Sequence, residues 1–393
     1  MNAAGSFFLR NNTRMIKTFQ IGTHWFPEFP GGLERVYFDL WRALTALGVG
    51  FSGLVAGGEM SAAQTGGAVQ AFAPPDALLP KRLLAMRVAF SRMETARHAE
   101  LIVSHFALYT LPILDLTKDQ PVVIHFQGPW ADEGVIEGDH AWQRAIKYRI
   151  ERAVYGRAAR AIVLSHAFAA LLTARYGFPA DRIDVIPPGI DVRRFAIGAT
   201  RAEARARLGW PQDRPVVVVV RRLVPRMGLE ALIAAIEILR RSMPDVLLMV
   251  AGKGILRSRL DAQIAARGLE AHVKMLGFVA DDDLPYVYRA ADLSVVPSMA
   301  LEGFGLIVAE SLAAGTPSLV SPVGGLPEGV GGLSRDLIMP LATAEDMAMS
   351  LQAALRGDVK LPNSAACRRY AEDSFSWPLV AARVATSYRR ALD

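Results

Sequence analysis

The chain has 393 residues, of which 52% are hydrophobic and 21% charged, enough for two domains each with its own core. A single cysteine, Cys367, excludes an intrachain disulfide and a cysteine metal cluster, and suits a reducing compartment. The formal net charge of +6 suits an anionic partner, but no zinc-finger spacing and no sheet with interleaved aromatics points to nucleic acid.

No segment reaches the ~18 consecutive apolar residues of a membrane span. Residues 5–9 are too short an apolar run for a signal peptide, and the residues before Met15 read as a loose extension with Met15 as an alternative start. The expected location is therefore the cytoplasm, with a peripheral place at the inner face of a membrane left open.

In chain order, strand-like and helix-like runs alternate. Residues 16–21 read as a strand and 33–47 as a helix, with Pro30-Gly31-Gly32 between them. Two glycines at a helix start let a phosphate or sugar approach the backbone, although Pro-Gly-Gly is also an ordinary turn. No G-x-G-x-x-G follows, so this is not the dinucleotide fingerprint. Trp25 and Phe26, just upstream, line either an acceptor pocket or the core. Residues 101–104, 122–126 and 161–164 read as short buried strands, and His125 stands at the end of the second. A strand-end histidine is either structural or aimed into a cleft. His105 is placed similarly. Two helical stretches are basic: 81–92, and 142–160 with Arg144, Lys147, Arg149, Arg152, Arg157 and Arg160. Such a face is either solvated or docked on an anionic membrane surface.

The rhythm restarts with strands at 216–220, 246–250, 273–276, 293–296 and 318–320. Two such series imply two doubly wound domains with parallel sheets, joined by a hinge near 190–200 after Ile186-Pro187-Pro188-Gly189. Ligands of such sheets bind at the carboxyl ends of the strands. There the second series carries Arg221, Arg222 and Arg226, bidentate donors suited to phosphate. Gly252-Lys253-Gly254 follows the next strand and is not a Walker loop. Gly277-Phe278 follows the third. Asp281-Asp282-Asp283 reads as a helix cap and first turn rather than a D-x-D metal site.

The strongest signal is Glu302-Gly303-Phe304-Gly305-Leu306-Ile307, followed by Glu310, so that seven residues separate the two carboxylates. Glu302 should lie in a loop at a helix N-terminus, and Glu310 about one turn inside. The free N–H groups of such a start suit phosphate, and ionised carboxylates accept from sugar hydroxyls.

Together with the flanking Ala291–Ser298 and Ala313–Pro317 stretches, this segment resembles the signature of the retaining family-4 glycosyltransferases. The resemblance implies a GT-B fold: an α/β protein of two Rossmann-like domains facing a cleft. It places an acceptor-side domain at 1–195 and a nucleotide-sugar-binding domain at 196–375, with a last helix at about 376–393 crossing back. It implies transfer of a hexose from a nucleotide diphosphate sugar, UDP- or GDP-linked, to an acceptor hydroxyl in polysaccharide or lipid-linked glycan assembly, without metal or other cofactor. His125, Arg221, Arg226 and Glu302 would be catalytic. Gly31, Gly32, Gly252, Gly277, Phe278, Gly303, Phe304, Gly305, Leu306, Ile307 and Glu310 would bind the donor. The family has a lysine before the glycine corresponding to Gly228; here that residue is Met227, which leaves the charge to Arg226. A GT-B sugar-nucleotide epimerase and a non-catalytic nucleotide-sugar-binding partner are the alternatives.

Overall fold

The computed structural model describes residues 15–136 and 138–393; the expected extension before Met15 and the short apolar run at 5–9 lie outside them. The first sheet comprises β1 (Lys17–His24), β2 (Gly50–Ala56), β3 (Val69–Ala73), β4 (Leu101–Ser104), β5 (Val122–Phe126), β6 (Arg160–Val163) and β7 (Ile183–Val185), in the order β3-β2-β1-β4-β5-β6-β7. The second comprises β8 (Val216–Val220), β9 (Leu247–Ala251), β10 (Val273–Gly277), β11 (Leu293–Val296) and β12 (Ser318–Val320), in the order β10-β9-β8-β11-β12. The second sheet pairs parallel throughout.

The strand sequences explain this arrangement. A parallel sheet covered by helices on both faces needs strands that are apolar on both sides. Val216 to Val219 are all completely buried, as are Leu293, Val295 and Val296. One face of the second sheet packs against Phe195, Tyr288, Phe304 and Val308, the other against Leu232, Ile236, Leu260 and Leu351. Strand order reverses direction at β8–β11, so the loops after these two strands leave the sheet on opposite sides and open a crevice between them.

The contacts divide the described chain into two compact units. One holds residues 15–124, 157–160 and 384–393; within it Gln20 Nε2 donates to the Tyr388 hydroxyl at 3.4 Å. The other holds the described residues of 125–156 together with 161–383, so His125 and the helices Trp130–Ile136 and Ala141–Tyr155 group with the second sheet. The segment expected as a hinge includes the one-turn helix Val192–Phe195, and Ile190 and Phe195 are part of the second unit's core.

Gly228 links the loops after β8 and β11. It has a φ of 73°, and a Cβ there would overlap the Pro297 carbonyl oxygen. Gly228→Ala therefore combines left-handed backbone strain with a backbone clash, and should cost on the order of 1–3 kcal/mol or more in urea unfolding. A loss below about 0.5 kcal/mol would contradict the close approach.

Candidate active site around Arg221 and Glu302

Arg221 leaves the end of β8 and Ser298 follows β11, so the strand reversal brings them together. Arg221 Nη2 donates to both the Ser298 hydroxyl and Glu302 Oε2, and Ser298 Oγ donates to the same carboxylate oxygen at 3.0 Å. The side chains of Arg221 and Glu302 are only 7% and 12% exposed. Burial pushes the Glu302 carboxyl upward, but the Arg221 charge and hydrogen bond, the Ser298 hydroxyl and the Arg226 charge outweigh it. The net shift is downward, and Glu302 is a carboxylate at neutral pH.

Arg226 is buried beside this pair. Its Nη1 donates to the Leu301 carbonyl at 3.0 Å, and Nη2 lies 3.8 Å from Glu133 Oε1 on the helix Trp130–Ile136. Leu301 has a φ of 48°, the single non-glycine residue in the left-handed region among the described residues. Met227 is 5% exposed and belongs to the apolar core with Val217, Leu223 and Leu232. Adjacent residues of the tight turn Pro225–Met227 thus face opposite environments: Met227 the core, Arg226 the Glu302 loop.

The Glu302 loop ends in Gly305, at φ 80°, which is the N-cap of the helix Leu306–Ala313. The N–H groups of Leu306 and Ile307 belong to the first turn, which a helix leaves outside its own ladder. Gly303 packs against Phe168 and Leu164, and the Phe304 ring is buried 5.0 Å from the Phe375 ring. Phe304 therefore anchors the loop through the core, leaving only its backbone for a ligand. Glu310 is buried and accepts from the Tyr288 hydroxyl at 3.0 Å. Two further glycines allow carbonyls to nest against this loop and its neighbour: a Cβ on Gly252 would overlap the Arg221 carbonyl oxygen, and one on Gly324 the Glu302 carbonyl oxygen. Gly252 N donates to the Gly277 carbonyl at 2.7 Å, and Lys253 Nζ stands 5.0 Å over the exposed Phe278 ring.

The family model for glycosyltransferase family 4 matches residues 30–194, and the model for glycosyl transferases group 1 matches residues 200–374. The D-inositol 3-phosphate glycosyltransferase of Nocardia farcinica is 33% identical over 80% of this chain and 72% of its own length. The chain belongs to glycosyltransferase family 4. The GDP-mannose-dependent alpha-(1-6)-phosphatidylinositol monomannoside mannosyltransferase of Mycobacterium tuberculosis is 32% identical over 54% of this chain and 57% of its own length. Among solved structures, Anabaena Alr3699/HepE in complex with UDP superposes with a TM-score of 0.75 at 20% identity, covering 95% of this chain and all of that one. The shared architecture is the GT-B fold.

Within this family-4 transferase, the remaining expected residues are dispersed. His125, the last residue but one of β5, lies in the second unit and is 8% exposed. Burial depresses its pKa to about 3, so the imidazole is neutral at physiological pH. Gly31 and Gly32 lie in the first unit at the start of the helix Gly32–Ala46. There the Glu34 carboxylate folds back over Gly31 and accepts from Thr23 Oγ1 at 3.0 Å. His105 also lies in the first unit, where Nε2 is 2.8 Å from Gln20 Oε1. Asp283 precedes the helix Leu284–Ala290, but its side chain makes no cap bond and pairs with Arg207 at 2.9 Å instead. Asp281 pairs with Arg194 at 3.3 Å. At the opposite, N-terminal ends of β8 and β11 a 570 Å³ cavity is lined by Arg201, Arg205 and Asp292. Arg205 there donates to four carbonyls and to Asp292, a structural network.

Sequence reasoning missed Ser298 as a partner of both charges, and Glu133 and Tyr288 entirely. Ser298 stood in the quoted flanking stretch, and its position directly after a buried strand was the usable signal.

The histidine gives a pH test. Its native pKa lies below the ordinary 6.5, so its contribution to stability is complete above 6.5 and is lost as pH falls toward 3. His125→Asn should weaken the fall in unfolding free energy expected of the parent protein between about pH 7 and pH 5. An unchanged slope, or an imidazole of His125 titrating by NMR in its ordinary range, would contradict this burial.

Proposed function

We propose that this family-4 transferase moves a hexose from a nucleoside diphosphate sugar to an acceptor hydroxyl with retention of anomeric configuration. The observation that carries this reading is the convergence of two buried guanidinia, Arg221 and Arg226, on the ionised Glu302 at the start of the helix Leu306–Ala313. A departing diphosphate gathers negative charge as its bond to the anomeric carbon breaks, and preorganised cations in a dry site stabilise that charge. Glu302, an acceptor only, binds sugar hydroxyls, and Glu310, oriented by Tyr288, binds the ribose. Gly252, Gly277 and the Phe278 backbone hold the base, and the N–H groups from Gly305 to Ile307 hold phosphate. Gly31 and Gly32 are included as phosphate contacts on the family resemblance alone. His125, neutral, orients the sugar or acceptor rather than carrying charge.

Retention follows from a front-face displacement. The bond from the anomeric carbon to the diphosphate oxygen breaks, the acceptor oxygen bonds to the same face, and the acceptor proton passes to the departing phosphate oxygen. The protein contributes position and electrostatics. The division into an acceptor-side half at 1–195 and a donor half at 196–375, with 376–393 returning to the first, belongs to this proposal; the two family models, ending at 194 and beginning at 200, support it.

Incubation with UDP-glucose and GDP-mannose, with and without lipid-linked and soluble acceptors, tests the reading. Acceptor-dependent glycoside formation with retained configuration is expected. Arg226→Ala and Glu302→Gln should each lower turnover by about 10²–10³. Acceptor-free isomerisation would favour the epimerase, and near-normal turnover of Arg226→Ala would refute its role.

The acceptor side of the proposal includes an anionic membrane surface. Among the described residues no helix is long and apolar enough to cross a membrane. The helix Leu79–Arg92 nevertheless exposes Lys81, Leu84, Val88 and Arg92 along one face, with Leu78 and Leu79 at its start. In the other basic stretch, Arg144 and Lys147 are tied to Asp132 and Asp139, while Trp142 and Ile146 are exposed. Co-sedimentation should show binding to anionic vesicles that weakens with salt. Equal binding to neutral vesicles would defeat the electrostatic attraction.

A further inference from the structure

The helix Trp130–Ile136 carries none of the residues expected at the site, yet it delivers a carboxylate to it. Glu133 Oε1 is 3.8 Å from Arg226 Nη2. The same carboxylate lies over Gly128, where a Cβ would come within 2.9 Å of Oε1. The helix is fixed from behind. Glu151, fully buried on the helix Ala141–Tyr155, accepts from Trp130 N at 2.8 Å, Ala131 N at 3.3 Å and the Tyr176 hydroxyl at 2.8 Å. Lys147 stands 4.7 Å over the Trp130 ring, and Asp132 is gripped by Arg144 and Arg175 at 2.8 and 2.9 Å. Glu133 is thus presented by a rigid element rather than a loose loop.

We propose that Glu133 is the positioning residue of Arg226, holding its guanidinium in the orientation that meets the donor diphosphate. The inference rests on the reading that Arg226 serves that diphosphate. An arginine side chain has several rotatable bonds, and its fork acts bidentately only when both ends are oriented. The Leu301 carbonyl fixes Nη1, and Glu133 faces Nη2. Charge balance argues the same way. Arg221 and Arg226 both act on the single carboxylate of Glu302, and a second carboxylate offsets the repulsion between two buried cations. The need arises because residue 227 is packed into the core, which leaves Arg226 as the cation of this turn.

The test is a double-mutant cycle on the full chain, with Glu133→Gln, Glu133→Asp, Arg226→Ala and the Glu133→Gln/Arg226→Ala pair. Release of nucleoside diphosphate from UDP-glucose and GDP-mannose gives kcat and donor KM, and thermal unfolding checks that each variant is folded. Glu133→Gln should lower kcat about tenfold with a smaller change in donor KM, and Glu133→Asp should recover part of the loss. On the Arg226→Ala background the same Gln substitution should cost less than about twofold. A full tenfold loss on that background would show that Glu133 does not act through Arg226, and would overturn the inference. Normal turnover of Arg226→Ala alone would instead overturn the phosphate role on which it rests.

Discussion

The ion pair between Arg221 and Glu302 sits where the second sheet reverses its strand order, and its burial determines what surrounds it. A carboxylate withdrawn from water becomes neutral unless it is compensated, because the penalty for an unpaired buried charge amounts to several kcal/mol. Glu302 is compensated by Arg221, by the Ser298 hydroxyl and by the more distant charge of Arg226. Each compensating group comes from a loop at the carboxyl end of β8 or β11. The two loops are therefore locked to one another electrostatically, and the left-handed backbone of Leu301 is tolerated because its carbonyl is held by Arg226.

The backbone imposes a matching constraint. Carbonyls of Arg221, Pro297 and Glu302 rest against Gly252, Gly228 and Gly324, at distances that leave no room for a side chain. Glu302 O also accepts from Gly325 N at 2.9 Å, so the loop is held from the main chain as well as by its charge. A site built this way keeps its donors and acceptors oriented before substrate arrives, which is the condition for electrostatic stabilisation to act without reorganisation. Glu302 draws on both guanidinia, Arg221 in contact and Arg226 at longer range, so its charge is compensated from two sides of the loop.

Much of this was legible in the sequence because buried parallel strands are continuous apolar runs. β5, β8, β11 and β12 coincide with the stretches read at 122–126, 216–220, 293–296 and 318–320. β2, β3 and β7 escaped that reading for the same physical reason. Gly50–Ala56 is interrupted by two glycines and a serine, Val69–Ala73 contains Gln70, and Ile183–Val185 is three residues around an aspartate. Glu302 and Glu310 could be placed relative to a helix start because glycine, helix and proline signals bracket them. Glu133 could not be placed, since its contact with Arg226 spans 93 positions of chain and no local pattern encodes it. Glu151 likewise reads as one more charge on a basic helix; only the fold reveals it fully buried, with burial pushing its carboxyl up to about 7 against the hydrogen bonds it accepts.

Met227 shows what one buried apolar residue imposes on the turn that carries it. The turn Pro225–Met227 is a 3₁₀ turn, in which successive side chains point about 120° apart. With a methionine at 227 buried against Val217 and Leu232, the neighbouring side chain is directed away from the core and toward the Glu302 loop. The Arg226 side chain has to reach from the turn to the Leu301 carbonyl and has to be steered, and its long stem answers the first need. The second requires a partner outside the turn, and in the same compact unit that partner is a carboxylate from the Trp130–Ile136 helix. The charge at 226 and the carboxylate at 133 are thus one structural solution, and a lysine at 227 would have to place its stem in the apolar core.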